Sequence, residues 1–205
     1  NSSSLDDKWF ANHKEAKIDK VRFLYVARIN PVKGINEFLK MFNTLDLEAE
    51  LSIIGKTNNL RHQKDFKRLM ENKNNIHFPG YISNRQNLID AFDDHNILIL
   101  PSYTEGQPYV VDESLVRKRP VLIFNDIEHI IRGRKGIFVS KRDPKSFAET
   151  TKFIMNNYKN IQKDIEKNNI ILRKTSESFN KEPLTVDNLT ERGYKFIESI
   201  DLGDI

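Results

Sequence analysis

Short apolar runs alternate with amphipathic stretches along most of this chain. The apolar runs are nearly continuous in hydrophobicity and end at turn residues, a pattern typical of strands that are covered on both faces. The predicted strands are "VRFLYVA" (21–27), "AELSIIG" (49–55), "NIHFPG" (75–80), "NILILPS" (96–102), "RPVLIF" (119–124) and "KGIFVS" (135–140).

The stretches between these strands have helical periodicity. In "INEFLKMF" the apolar residues fall at i, i+3, i+4 and i+7, which forms one stripe facing a core. Similar spacing predicts helices in "NLRHQKDFKRLMENK", "SNRQNLIDAFDDH" and "YVVDESLVRK". Strands that alternate with helices predict an α/β protein, here a single Rossmann-like domain with a parallel sheet of about six strands and helices on both faces.

The pattern becomes purely helical after residue 143. Asp143 is suited to an N-cap and Pro144 to the first helical position, and two further helical stretches follow. The first twenty residues are polar and show no core pattern. We therefore predict a linker over 1–20, the Rossmann-like domain over 21–160, and extra C-terminal helices over 161–205 that pack on it.

Composition narrows the class of protein further. A chain of 205 residues with 38% hydrophobic residues can bury a sizeable core, and we expect neither a membrane-spanning segment nor a secretory signal. The lack of cysteine excludes disulfides and thiol catalysis and agrees with a cytoplasmic location. The net charge of +4 suits a phosphate-bearing ligand, but Lys and Arg alternate with Asp and Glu, so nucleic-acid binding is not indicated.

Several polar residues lie at predicted strand ends, where ligands bind in doubly wound sheets. Arg28 and Lys33 in "ARINPVKG" could form an anion site at a helix N-terminus, or could be two surface cations. Gly55 could let the backbone approach a ligand closely, or could serve a simple turn. Tyr81 and Ile82 could present an apolar surface to a flat base, or could tether a turn.

The stretch "PSYTEGQPYVVDESL" (101–115) carries two glutamates around a predicted turn. Glu105 lies on the loop, and Glu113 lies in the following helix on the side that faces the loop. Their carboxylates can accept from hydroxyls, while the helix amides between them attract an anion. A nucleotide sugar needs both properties, although an ordinary strand-to-helix connection with solvated charges would have the same residues.

These motifs, in order and spacing, resemble the C-terminal, donor-binding half of glycosyltransferase family four (group 1), retaining enzymes of the GT-B fold. The resemblance covers about 21–160 and also includes "RPVLIFNDIEHIIRGRKGIFV" and "DPKSFAETTKFIMNN". The two glutamates with the upstream Arg and Lys are specific only as a set. The resemblance implies that 21–160 binds a nucleotide sugar, that 1–20 is an interdomain linker, and that the fragment alone transfers little without an N-terminal acceptor domain.

The resemblance also implies residue roles. Arg28 and Lys33 would neutralise the donor diphosphate and Glu105 would contact the transferred sugar, and these three are the implied catalytic residues. Glu113 would hold the ribose hydroxyls. The other implied donor-binding residues are Gly55, Tyr81, Ile82, Gly106, Gln107, Tyr109 and Val110.

Two positions depart from the family pattern. Pro108, which cannot donate an amide, stands where many members have glycine, and Ala27 replaces the glycine that commonly precedes the arginine. The implied donor is a nucleotide-diphosphate sugar, UDP-sugar being favoured over GDP-sugar, and no metal or other cofactor is expected. In keeping with this, the sequence has no Asp-x-Asp motif.

The implied acceptor is a glycan or lipid-linked molecule of surface polysaccharide synthesis, reached through the N-terminal domain. We expect a cytoplasmic protein that contacts the inner membrane face peripherally, with no nucleic-acid partner. Two other classes stay open on the residues alone: a non-catalytic nucleotide-binding α/β module, and half of a sugar-nucleotide epimerase. Turnover of the donor separates a transferase from a binding module, and acceptor-independent interconversion identifies an epimerase.

Overall fold

The computed structural model describes residues 5–56 and 60–168, and for 60–63 the backbone only. Its strands are β1 (Val21–Val26), β2 (Ala49–Ile54), β3 (Ile76–Gly80), β4 (Ile97–Leu100), β5 (Val121–Phe124) and β6 (Ile137–Ser140). They form one six-stranded sheet in the order β3-β2-β1-β4-β5-β6. Every neighbouring pair is parallel, which confirms the predicted sheet. The chain changes direction across the sheet between β1 and β4, the point beyond whose carboxyl ends ligands bind in such folds.

Helices connect the strands as the periodicity predicts. They are α1 (Asp7–Phe10), α2 (Ile35–Phe42), α3 (Leu60–Met70), α4 (Arg85–Asp94), α5 (Tyr109–Val116), α6 (Pro144–Asn156) and α7, whose described part covers 158–168. Shorter 3₁₀ turns cover Pro31–Lys33 and Asn125–Ile130. The Asp143 side chain accepts from the Ser146 amide at 2.8 Å and caps α6, as predicted. The rest of the predicted C-terminal helices lies outside the described residues, and the division into domains stays a prediction.

The core surrounds the middle of the sheet. All residues of β4 and β5 are buried, which requires other elements to cover both faces of these strands. On one face the Phe147 ring lies 5.3 Å from Phe23 and 5.4 Å from Phe38, measured between ring centroids. These contacts join α6, β1 and α2 into one aromatic cluster, and such ring pairs contribute more than their buried area alone.

The N-terminal segment contributes to this core. Trp9 in α1 is only 2% exposed, and its ring meets Phe92 of α4 edge to face at 5.5 Å between centroids. Residues 1–20 show no core pattern in the sequence, yet Trp9 belongs to the core. A lone aromatic residue in a polar stretch has no periodic neighbours, so the hydrophobic pattern could not reveal its burial. The role of the segment as an interdomain linker stays a prediction.

Candidate functional site

A cleft of about 340 Å³ opens at the carboxyl edge of the sheet, beyond β1, β2 and β3. The residues that line it are Trp9, Val26, Ala27, Arg28, Ile54, Gly55, Lys56, Tyr81, Ile82, Ser83, Arg85, Leu88 and Glu113. The structure thus brings together Arg28, Gly55, Tyr81, Ile82 and Glu113 from the set predicted on sequence. Parallel strands end at the same edge, and this is why residues distant along the chain share one cleft.

Glu113 is a carboxyl group with no hydrogen-bond or ion-pair partner among residues 5–56 and 60–168. It is 8% exposed, on α5, and faces the cleft. Burial and, to a lesser extent, nearby Asp112 raise the pKa of Glu113, and Arg85, which also lines the cleft, lowers it; the net pKa is about 7. A buried acceptor left free beside a cleft is suited to ligand hydroxyls, and displaced pKa values cluster at functional sites.

Other residues that line the cleft supply positive charge and an aromatic surface. Arg28 is exposed, and its backbone is fixed because the buried Tyr25 hydroxyl donates to the Arg28 carbonyl at 2.9 Å. Tyr81 is 63% exposed, and the Lys56 ammonium lies 5.0 Å from the centre of its ring. The arrangement can hold a phosphate at Arg28 and a flat base at Tyr81.

Lys33 and Glu105 form a second cluster beside the cleft, after β1 and β4. The Lys33 Nζ atom lies 2.6 Å from Glu105 Oε1, and Ser102 Oγ donates to the same oxygen at 2.7 Å. The two side chains are 19% and 8% exposed. Because its residues follow β1 and β4, the pair lies where the chain changes direction across the sheet. The structure places Arg28 in the cleft and Lys33 on Glu105, and their catalytic roles stay predictions.

The loop after β1 and the loop after β4 are in close backbone contact. The Tyr103 amide donates to the Val32 carbonyl at 3.0 Å, and a Cβ atom added to Gly34 would lie 2.1 Å from the Pro101 oxygen. Gly34 also has φ +65°, which favours glycine. The loop after β1 is thus pressed against the loop after β4, and Lys33 is directed at Glu105.

Gly55 has a comparable packing role. A Cβ atom at this position would lie 2.0 Å from the Ala27 oxygen, because the loops after β1 and β2 touch there. Glycine is therefore required at Gly55 by the protein's own backbone. Gly55 lines the cleft, and its contact with a ligand stays a prediction.

The loop that carries Glu105 is bound by residues of the segments after β5 and β6. His129 Nε2 forms a 2.8 Å hydrogen bond with the Glu105 carbonyl, and Arg132 donates to the Gly106 carbonyl at 3.3 Å. Arg142 donates to the carbonyls of Pro101 and Ser102 at 3.0 and 3.2 Å. The other residues predicted here, which do not line the cleft, are Gly106, Gln107, Tyr109 and Val110.

Sequence reasoning missed several residues of the site. Arg85 opens a helix directly after a strand-end loop, and that position could have identified it. Ser102, His129 and Trp9 carried no comparable signal, because their contacts depend on how loops and the N-terminal segment fold back. The residues that the structure adds to the predicted set are Trp9, Lys56, Ser83, Arg85, Leu88, Ser102, His129, Arg132 and Arg142.

The described ranges lack two structural features, a metal-ligand cluster and a membrane-spanning helix. No group of three or more His, Asp or Glu side chains is arranged to hold a metal ion in residues 5–56 and 60–168. In the same part of the chain, no helix combines the length and the apolar character needed to cross a bilayer.

Comparison with known proteins identifies the class of protein. Residues 7–171 match the family model of the glycosyl transferases group 1. This match spans most of the chain, and the chain belongs to that family. The resemblance carried by the strand-end motifs is thereby confirmed.

Two curated relatives from bacteria are named as sugar transferases. The chain is 28% identical over 140 residues to the capsular polysaccharide biosynthesis glycosyltransferase CapM of Staphylococcus aureus, a match that covers 64% of this chain and 36% of the relative. It is 28% identical over 175 residues to the processive diacylglycerol alpha-glucosyltransferase of Acholeplasma laidlawii, covering 77% of this chain and 51% of the relative. The chain therefore spans about half or less of the length of these relatives.

Solved structures share the fold. The C-terminal domain of the group 1 glycosyl transferase LpcC from Francisella tularensis aligns with a TM-score of 0.60 and 18% identity, over 83% of this chain and 97% of that domain. Anabaena HepE, solved with UDP and glucose, aligns with a TM-score of 0.60 and 11% identity, over 89% of this chain and 49% of HepE. These similarities confirm the fold expected for one half of a GT-B enzyme.

Proposed function

We propose that this chain is the donor-binding half of a retaining glycosyltransferase. The whole protein transfers a sugar from a nucleotide-diphosphate sugar to a glycan or lipid-linked acceptor in surface polysaccharide synthesis. The observation that carries the proposal is Glu113, a buried carboxyl that has no partner among the described residues and faces the same cleft as the exposed cation Arg28. The capsular role of CapM and the UDP bound by HepE support it.

The donor is proposed to occupy the carboxyl edge of the sheet. The base contacts Tyr81 and Ile82, the ribose hydroxyls donate to Glu113, and the diphosphate binds Arg28. This order matches the cleft, since Tyr81 and Ile82 follow β3 and Arg28 follows β1. The cleft's volume of about 340 Å³ is at the lower end of what small-molecule sites offer, and suits the nucleoside part of the donor.

The sugar is proposed to extend from the cleft to the Lys33–Glu105 cluster. Both hydrogen bonds to the Glu105 carboxylate end on Oε1, which leaves Oε2 able to contact the sugar. When the bond between sugar carbon and phosphate oxygen breaks, negative charge grows on the diphosphate near Arg28 and Lys33. Positive charge grows on the sugar near Glu105. Charges arranged in advance stabilise this transition state more than the bound donor.

We propose that these side chains replace a metal ion as the source of positive charge for the diphosphate. Arg28 supplies a planar fork and Lys33 a point charge, the two forms in which proteins commonly bind phosphate. We further propose a UDP-sugar as donor in preference to a GDP-sugar. The place of action is proposed to be the cytoplasm, with peripheral contact at the inner membrane face.

The test is calorimetric titration of the chain with UDP, GDP, ADP and their sugars, in the presence of a chelator. We expect one diphosphate to bind, and Arg28→Ala to weaken it by roughly tenfold or more, because a charge-assisted contact contributes about 1.5–3 kcal/mol. Lys40→Ala, at an exposed cation of α2 outside the cleft, is the matched control and should bind like the parent. Failure of every diphosphate to bind, or an unaffected Arg28→Ala variant, would contradict the proposal.

A further inference from the structure

Three buried charged residues have no part in the proposed reaction. Asp93, Arg117 and Arg119 are 4%, 0% and 2% exposed, and they lie at the end of α4 and just after α5. Arg117 donates to both Asp93 carboxylate oxygens, at 3.0 and 2.6 Å. Removing charges from water is costly, so a buried cluster of this kind indicates that its remaining donors have specific partners.

Several of those partners are backbone carbonyls of residues 5–16, here called the N-terminal strap. The other Arg119 donors bind carbonyls of α4 and of the turns that follow α4 and α5. Arg117 donates to the carbonyls of Trp9, Ala11 and Asn12 at 2.8, 2.7 and 3.1 Å. Arg119 donates to the Lys14 carbonyl at 2.9 Å. Most of the strap is neither helix nor strand, so its carbonyls need partners from elsewhere, and the two guanidinium groups supply them.

The strap carries one residue to the cleft. The carbonyl of Trp9 is bound by Arg117, while its ring packs on Phe92 and lines the cleft together with Leu88 and Glu113. At the front of the strap, Asp6 caps α1 and forms an ion pair with Arg85, which also lines the cleft. The buried cluster and the cleft are therefore connected through the backbone of a single residue.

We propose that Trp9 is a base-recognition residue of the nucleotide cleft and that Arg117 is its positioning residue. The indole closes the inner wall against which the base lies, and the buried cluster holds the indole in place. This inference rests on the proposed nucleotide function and adds to it a specificity residue outside the strand-end motifs.

The first experiment uses Trp9 as its own reporter, because it is the chain's single tryptophan. Under selective tryptophan excitation, the nucleotide that binds should change the emission of the parent, after correction against a free tryptophan analogue for absorbed light. Trp9→Phe should weaken that nucleotide about threefold to tenfold and leave binding of inorganic pyrophosphate unchanged. If nucleotide leaves the emission of the parent unchanged and Trp9→Phe binds nucleotide as tightly as the parent, the inference is overturned. The proposed function is unaffected by that result, because the nucleotide still binds. If the parent binds no diphosphate nucleotide, the proposed function fails first.

The second experiment tests positioning with Arg117→Lys, which keeps a charge beside Asp93 and loses the fork that reaches several carbonyls. We expect the ratio of nucleotide to pyrophosphate affinity to fall about threefold or more. A purely structural role would lower the melting temperature and leave this ratio unchanged, and that result overturns the positioning claim. Lys14→Ala, which removes only the exposed 3.0 Å pair with Asp90, is the matched control and should not alter the ratio.

A milder variant covers the case in which Arg117→Lys does not fold. His13 Nε2 forms a 2.8 Å hydrogen bond with the Val116 carbonyl and is a separate attachment of the strap. His13→Ala should lower the same affinity ratio in the same direction by about twofold. If His13→Ala is folded and its ratio of nucleotide to pyrophosphate affinity equals that of the parent, the strap is not a positioning element.

Discussion

Glu105, on the loop after β4, and Glu113, on the following helix α5, have opposite hydrogen-bonding environments. Glu105 is surrounded by donors, since Lys33 and Ser102 both bind its Oε1 atom at 2.6 and 2.7 Å. Glu113 is equally enclosed but has no such donor among the described residues, and its pKa is raised to about 7. The first already has protein donors, while the second is costly to ionise until a ligand supplies hydrogen bonds.

Glu113 should make the protein less stable as the pH rises. Its folded-state pKa of about 7 lies above the 4.5 of an exposed glutamate, so between these values the folded protein keeps a proton that the unfolded chain has released. The free energy of unfolding should therefore fall as the pH rises through this range and level off above pH 7.

The measurement is urea unfolding of the parent and Glu113→Gln at pH 5 and pH 8. Glutamine does not titrate, so the variant avoids the loss of stability that the parent shows at high pH. The free energy of unfolding of the variant minus that of the parent should therefore be about 2–3 kcal/mol larger at pH 8 than at pH 5. Glu37→Gln, at an exposed glutamate of α2, should show no such dependence. An identical difference at both pH values for Glu113→Gln would show that its carboxyl is not desolvated.

The elements of the fold were largely predictable, and their contacts were not. Continuous apolar runs such as 97–100 and 121–124 predicted buried strands because only a core position suits four consecutive apolar residues. Such runs do not predict the order of the strands in the sheet. The meeting of Lys33 with Glu105 depends on β1 and β4 being neighbours, and the anchoring of Trp9 depends on a segment that folds back without periodic pattern.

The contact between the loops after β1 and β4 can be tested at Gly34. Gly34→Ala introduces a Cβ atom 2.1 Å from the Pro101 oxygen at a residue with φ +65°, so the backbone must shift as well as adopt an unfavourable conformation. Gly133 has φ +72° with no atom within 4 Å of an added Cβ, which makes it a matched control for conformation alone.

Urea unfolding of both variants separates the two effects. Gly133→Ala should cost about 1–2 kcal/mol, the usual penalty of a left-handed alanine, and Gly34→Ala should cost clearly more. Gly34→Ala should also weaken diphosphate binding, because Lys33 precedes it directly. Equal losses of stability for the two variants would mean that the loops are not in close contact.

At the scale of the whole molecule, one edge of the sheet carries two clusters with different chemistry. The cleft beyond β1–β3 offers cations, an aromatic ring and a carboxyl that no described residue binds. The Lys33–Glu105 cluster lies beside it, in the loops after β1 and β4. Under the proposed function both clusters hold one donor, with its nucleotide in the first cluster and its sugar at the second. The central claim is that Glu113 binds the ribose of that donor and Glu105 contacts its sugar.

The measurement that tests this claim most directly is calorimetry at pH 8 with a bare diphosphate and its sugar conjugate, on Glu113→Gln and Glu105→Gln. Glu113→Gln should weaken both ligands alike, by about 1–2 kcal/mol, because it loses the charge that strengthens the bonds to ribose. Glu105→Gln should leave the bare diphosphate nearly unchanged and affect only the sugar conjugate. Equal losses from both variants with the bare diphosphate, or no loss from either with any ligand, would contradict the account.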